Sequence, residues 1–261
     1  MDIRSENVAI ACYSGNERTM KDNIVAEEAP LTIFLNDEEI ATLLCTPENL
    51  KYLAVGFLYS EGILQSKEEI KKITADDQKG IVWVETVENK DFVKNLINKR
   101  LITSGCGKGA TFYNVADSSI SKEIKSNFEL SFKDALDLAK DLQNRSELYK
   151  ITGGVHSATL CNNKDVLVFS DDIGRHNAID KIFGRCLLEE ISTIDKIIVT
   201  TGRVSSEILL KIVKMNIPIL ISRSAPTALA VRLANRLGIT LIGYARGKRM
   251  NVYSHENRII Y

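Results

Sequence analysis

From Ser131 to Tyr244 the chain alternates helical and extended apolar runs, and that alternation admits few architectures. Ser131, with Asp134 three residues on, opens an amphipathic helix carrying Ala135, Leu138, Ala139 and Leu142 on one face. Strands follow at His156–Cys161 and Val166–Phe169, then a helix from Arg175, a strand at Ile197–Thr200 and a helix from Ser205. A strand at Ile217–Ser222, a helix from Ala225 and a strand at Thr240–Tyr244 complete the series. Strands separated by single helices require parallel neighbours with helices on the sheet faces. The short Asn162-Asn163 turn makes the first pair antiparallel. The expected fold class is therefore α/β, with a mixed, mostly parallel sheet.

The preceding sequence reads differently. Leu31–Leu35 and Ile40–Leu44 alternate as a hairpin turned at Asn36-Asp37. Thr46 as N-cap, Pro47 at the first helical position and Glu48 in the first turn predict a helix, with Gly62 as its stop. Residues 66–101 read as a charged helix, a strand around Ile81–Val84 and a second helix. The sequence thus divides into a small α+β N-terminal domain (1–102), a mobile cysteine loop and linker rich in Gly, Ser, Asn and Asp (103–130), and the alternating domain (131–261). No repeat or low-complexity tract interrupts them.

Of the 261 residues 26% are charged and 44% hydrophobic, as in ordinary globular proteins. No apolar run approaches the roughly 18 residues of a membrane span, and the start lacks a signal peptide's pattern, so a cytoplasmic protein without membrane partners is expected. Net charge is zero but uneven. From Ile208 to Tyr261 nine Lys or Arg face a single acid, Glu256, a local +8 balanced elsewhere. An anionic ligand fits that segment better than nucleic acid, because no basic run with interleaved aromatics occurs. Lys211, Lys214, Arg232 and Arg236 read as residues solvating helix faces.

The five cysteines, at 12, 45, 106, 161 and 186, have neither disulfide-framework nor metal-ligand spacing. Cys45, Cys161 and Cys186 sit in apolar runs, and Cys12 in a polar stretch. Cys106 alone lies between glycines, in Thr103-Ser104-Gly105-Cys106-Gly107-Lys108-Gly109, where a nearby ammonium favours thiolate and a bulky partner can reach the sulfur. A plain Gly-rich turn with an incidental cysteine is the alternative. A second cluster, Asp171–Lys181, follows a strand directly. If Asp172 caps the helix, His176 and Asp180 share a face, as do Asn177 and Lys181; a solvated first helical turn is the alternative. Three further polar turns end strands: Thr200–Arg203, Ser222–Thr227, and Tyr244-Ala245-Arg246-Gly247-Lys248-Arg249. In a parallel sheet they share one edge with Arg175, so Arg175, Arg203, Arg223, Arg246, Lys248 and Arg249 would gather where phosphate or pyrophosphate binds.

These stretches, with Gly153-Gly154-Val155-His156-Ser157-Ala158 and Gly202-Arg203-Val204-Ser205-Ser206-Glu207, resemble in order the motifs of the formate dehydrogenase accessory sulfurtransferases, the FdhD/NarQ family. The resemblance implies a cytoplasmic homodimer whose second domain is cytidine-deaminase-like and three-layered. It implies that Cys106 accepts persulfide sulfur from a cysteine desulfurase and passes it to the molybdenum (or tungsten) bis-molybdopterin guanine dinucleotide of formate dehydrogenase, bound as a client. Tyr244–Arg249 match the segment that binds this cofactor, with Arg203, Arg223 and His176 as expected neighbours. Many members carry Cys-x-x-Cys in the loop, whereas this chain has Gly109 at the second position, so an external thiol or the acceptor must release the sulfur. A zinc deaminase would need His-x-Glu and Pro-Cys-x-x-Cys; His176-Asn177-Ala178 and Gly202–Ser206 supply neither the acid/base nor the thiolates, so no structural metal is expected. Two other readings remain: a non-catalytic cofactor-binding chaperone, and a nucleotide-acting enzyme using His176 and Asp180.

Overall fold

The computed structural model describes residues 2–88, 101–102, 110–111 and 122–261. It begins with an antiparallel ribbon, β1 (Ser5–Ser14) and β2 (Glu17–Ala26), turned at Gly15 with φ 59°. Nearly all its side chains are exposed or half-buried, so it lacks the one-sided apolar alternation that marks a strand in sequence. The expected hairpin follows as β3 (Ala29–Leu35) and β4 (Glu38–Cys45). Helix α1 (Leu50–Ser60) begins later than Thr46-Pro47 predicted. Thr46 is spent on tertiary bonds instead: its N–H donates to Asp172 Oδ2 at 3.2 Å and its Oγ1 accepts the Ile173 N–H at 3.1 Å.

Residues 70–76 form a strand, β5 (Ile70–Asp76), not the expected charged helix. Ile70 and Ile73 imitate a helical face because a register shift between Ile70 and Lys72 adds a residue and returns both to one side. With β6 (Ile81–Thr86) these strands make a sheet ordered β4-β3-β6-β5, over a core of Leu31, Ile33, Leu53, Leu58, Val82 and Val84. The expected second helix falls on 89–100, outside the described residues. Strands β7 (Leu101–Ile102) and β8 (Ala110–Thr111) pair antiparallel around a span, also outside them, that holds Cys106.

The rest of the chain starts with β9 (Leu130–Ser131) and α2 (Phe132–Arg145). Ser131 Oγ accepts the Asp134 N–H at 3.0 Å, and Ala135, Leu138, Ala139 and Leu142 are buried, as the capping pattern predicted. Then come α3 (Glu147–Thr152), β10 (His156–Cys161), β11 (Val166–Asp172), α4 (Arg175–Leu188), β12 (Ile197–Thr200), α5 (Ser206–Lys214), β13 (Ile219–Ser222), α6 (Ala228–Leu237), β14 (Thr240–Arg246), β15 (Arg249–Val252) and β16 (Ile259–Ile260). The sheet order is β11-β10-β12-β13-β14-β15. Only β12–β13 and β13–β14 are parallel, so the expectation of a mostly parallel sheet is corrected: β10 lies antiparallel to both neighbours, and Tyr244–Arg249 is the tip of a hairpin with β15. Ile198, Leu220 and Leu241 pack with α4, α5 and α6 on one face, while Val199, Ile221 and Ile242 meet α2 on the other. Among the described residues no helix is long and apolar enough to cross a membrane.

The two sheets are joined through α1 and α4. Gly56 and Gly184 let the helices touch backbone to backbone: a Cβ on Gly56 would overlap the Asp180 carbonyl, and one on Gly184 the Tyr52 carbonyl. Buried charges flank this contact. Lys211 Nζ lies 2.6 Å from Asp180 Oδ2, 3.5 Å from Glu61 Oε1 and 5.9 Å from the Phe57 ring centre. Lys211 therefore does not solvate a helix face as expected, because α1 and α4 cover it. Burial opposes its charge, but Asp180 and Glu61 together hold the ammonium above its ordinary pKa. Lys181 Nζ likewise lies 2.7 Å from Asp172 Oδ2 and donates to the Thr46 and Asp171 carbonyls.

Candidate functional site

At the C-terminal ends of β12 and β13 a cavity of about 500 Å3 opens. Thr201 and Arg223 follow those strands, and Arg246 ends β14. Because β10 runs antiparallel to β12, its first residues, His156 and Ser157, reach the same edge, and Ile173 arrives from the end of β11. The remaining wall comes from Gln143 in α2, Ser146 and Tyr149 at α3, and the turn Gly153–Val155. Ser146 caps α3 by accepting the Tyr149 N–H at 3.0 Å, and Gly153 ends it at φ 67°, a conformation that bends the chain back into β10 without side-chain strain.

The cavity is cationic. Arg246 Nε donates to the Arg223 carbonyl, and Arg223 Nη1 donates to the Ala139 carbonyl at 3.1 Å. Neither guanidinium has a carboxylate partner among the described residues. Burial, then the charge of Arg246, pushes the Arg223 pKa below its ordinary value, though an arginine stays charged at any working pH. Two unneutralised guanidiniums beside a void are the chemistry of an oxyanion site. The nearby carboxylate, Asp171, is turned to other work: Ser146 Oγ donates to its Oδ2 at 2.7 Å, and burial lifts its pKa despite bonds from Ser157 and Ser146.

The structure divides the residues that the sequence singled out. Arg223 and Arg246 line the cavity together. Tyr244 does not; it is 40% exposed at φ 52°, with its N–H on the Ser224 carbonyl at 3.1 Å. Ala245 is packed in the core under α2, while Gly247, Lys248 and Arg249 form the exposed hairpin tip. His176 lies off the cavity, Nε2 standing 3.2 Å from Glu207 Oε2 without hydrogen-bond alignment, and burial first of all lowers its pKa. Arg203 is exposed beside His156, on whose imidazole its charge acts. Asp172 does not cap α4: the N-cap is Gly174, whose N–H donates to Asp172 Oδ1 at 2.9 Å. His176 and Asp180 consequently serve different partners, Glu207 and Lys211. Thr201 lies in the strand-end turn Thr200–Arg203 that the sequence placed at this edge, and His156 in the Gly153–Ala158 stretch quoted for the resemblance alone; Tyr149 and Gln143 were not singled out as wall residues.

Burial pushes the thiols of Cys45, Cys161 and Cys186 up to about 12, about 11 and about 12. Such thiols are neither nucleophilic nor reachable near neutrality. Cys12 is half-buried on β1.

Comparison with known proteins finds similarity over nearly the whole chain. The FdhD/NarQ family model matches residues 26–260. The "Sulfur carrier protein FdhD" of Bacillus pumilus is 44% identical over 247 residues, covering 95% of this chain and 94% of that protein. The protein of the same name from Bacillus subtilis gives the same identity and coverage. A crystal structure described as a putative formate dehydrogenase accessory protein from Desulfotalea psychrophila superposes with a TM-score of 0.84 at 30% identity, covering 98% of this chain and 100% of that one. Similarity in sequence and in fold, end to end, makes this chain a member of the FdhD/NarQ family.

Proposed function

We propose that this protein carries sulfur to the cofactor of a formate dehydrogenase, taking it from a cysteine desulfurase onto Cys106. The Cys106 thiolate attacks the outer sulfur of the desulfurase persulfide; a new S–S bond forms at Cys106, and the desulfurase cysteine leaves as thiolate. With Gly109 in place of a second loop thiol, an external thiol or the acceptor takes the sulfur off. The acceptor is the molybdenum (or tungsten) bis-molybdopterin guanine dinucleotide, held by its pyrophosphate as cargo. The observation that carries this reading is the Arg223–Arg246 pair lining a cavity that no carboxylate lines among the described residues. At about 500 Å3 it suits one nucleotide portion of the client, within the roughly 300–1,000 Å3 of small-molecule sites.

The curated relatives named sulfur carriers support the transfer role, and the high thiol pKa values of Cys45, Cys161 and Cys186 favour Cys106 as the acceptor. The helix-sheet-helix layering of 131–261 supports a cytidine-deaminase-like domain; the resemblance alone implies the homodimer. Peptide mapping by mass spectrometry after incubation with desulfurase and cysteine tests the assignment. An added sulfur on Cys106, lost in Cys106→Ala, is expected. Persulfide chiefly on another cysteine, or on none, would sink the Cys106 assignment, and a Cys106→Ala variant that still supports formate dehydrogenase activity would replace the sulfur carrier with a cofactor-binding chaperone.

A further inference from the structure

We propose that His156 makes ligand capture in the cavity proton-linked: the pyrophosphate ligand binds best when the imidazole is protonated, and binding takes up a proton. The inference rests on the reading of the cavity as a pyrophosphate site. His156 is the first residue of β10 and lines the cavity, with Nδ1 3.4 Å from Thr201 Oγ1. That hydroxyl accepts the Ser157 N–H at 3.0 Å and has the Ser157 carbonyl as its own acceptor at 3.4 Å. Its remaining lone pair then receives a proton from Nδ1, which fixes the neutral tautomer and leaves Nε2 as the titrating atom. Among the described residues nothing bonds Nε2.

The charges around the ring all act in one direction. From α4, Arg175 and His176 face it, and from the connection after β12, Arg203. Arg223, Arg246 and Tyr149 line the same cavity. On β11 the carboxylate opposite in register, Asp172, is committed to Lys181, and its neighbour Asp171 to Ser146. Burial, then Arg175, His176 and Arg203, therefore disfavours the proton in the free protein. An arriving pyrophosphate supplies the missing anion. An opposite charge within about 4–6 Å raises a pKa by roughly 1–3 units, each unit being tenfold in linked affinity. Affinity should rise as pH falls through the histidine range.

The probe is GDP-mannose, whose pyrophosphate is a diester; GDP itself has a terminal phosphate that titrates near pH 6 and would mask the effect. Calorimetry from pH 5.5 to 8.5, in two buffers of different ionisation enthalpy, should show wild-type binding tighten about tenfold or more toward low pH, with proton uptake. The His156→Gln variant should bind as the wild type does at pH 8.5 and stay flat below it, and the His156 Nε2 NMR titration should move upward when ligand is added. Flat wild-type affinity, or a pH dependence that survives in His156→Gln and so belongs to His176, overturns the inference while leaving the cavity reading intact. Absence of binding at every pH overturns both.

Discussion

The backbone contact between α1 and α4 lets two opposing effects of one methyl group be weighed. Gly56 sits mid-way along α1, where replacement by Ala alone should stabilise a helix by about 1 kcal/mol through lost backbone entropy in the unfolded chain. The added Cβ, however, would overlap the Asp180 carbonyl and crowd the Gly184 N–H, both backbone atoms that cannot rotate aside. Relief requires α1 and α4 to separate, which loosens Leu53 and Phe57 and draws Asp180 from Lys211. Overpacking of a core costs about 1–3 kcal/mol, and a backbone collision belongs at the upper end. The clash wins, leaving Gly56→Ala about 2 kcal/mol less stable, or about 4–8 °C lower in Tm for a chain of this size. Thermal and urea unfolding followed by circular dichroism measure it. A variant as stable as wild type, or more so, would falsify the backbone contact between the helices.

The cationic pair predicts that Arg246→Ala weakens GDP-mannose binding about tenfold, with a shallower salt dependence, while Arg232→Ala on the exposed face of α6 leaves it unchanged; calorimetry at two ionic strengths decides. Lys211→Met strands Asp180 and Glu61 as buried carboxylates and should cost about 3–5 kcal/mol in urea unfolding; a loss under about 1 kcal/mol would show that the buried ion pair does not hold the helices together.

Local signals were read well where tertiary contacts agreed with them. β10 and β12 begin and end where apolar alternation places them, and α2 starts at its Ser131 cap. Thr46 carries as good a cap signature, but a tertiary bond to Asp172 outbids it, and that bond spans 126 residues of sequence. Sheet order was out of reach for a related reason: strand patterns report which residues are buried, not which neighbour does the burying. Hence β10 could not be seen between β11 and β12. The same ignorance hid half of the site. Searching strand ends finds Arg223 and Arg246, but an antiparallel strand brings its beginning to that edge, and with it His156 and Ser157. Lys211 looked solvent-facing because a helix's own periodicity says nothing of a second helix lying across its polar side.

The position of β10 also sets when, during synthesis, the cavity can exist. Its pairing with β11 is local, so the wall bearing His156 and Ser157 can form soon after residue 172 emerges. The arginine wall needs two further crossovers, through α5 and α6, before Arg246 reaches its seat on the Arg223 carbonyl. Until those crossovers are made, the edge that carries His156 lacks Arg246, one of the cavity's two guanidiniums. On the proposed reading, only chains translated beyond Arg246 carry both of the guanidiniums that would hold a pyrophosphate.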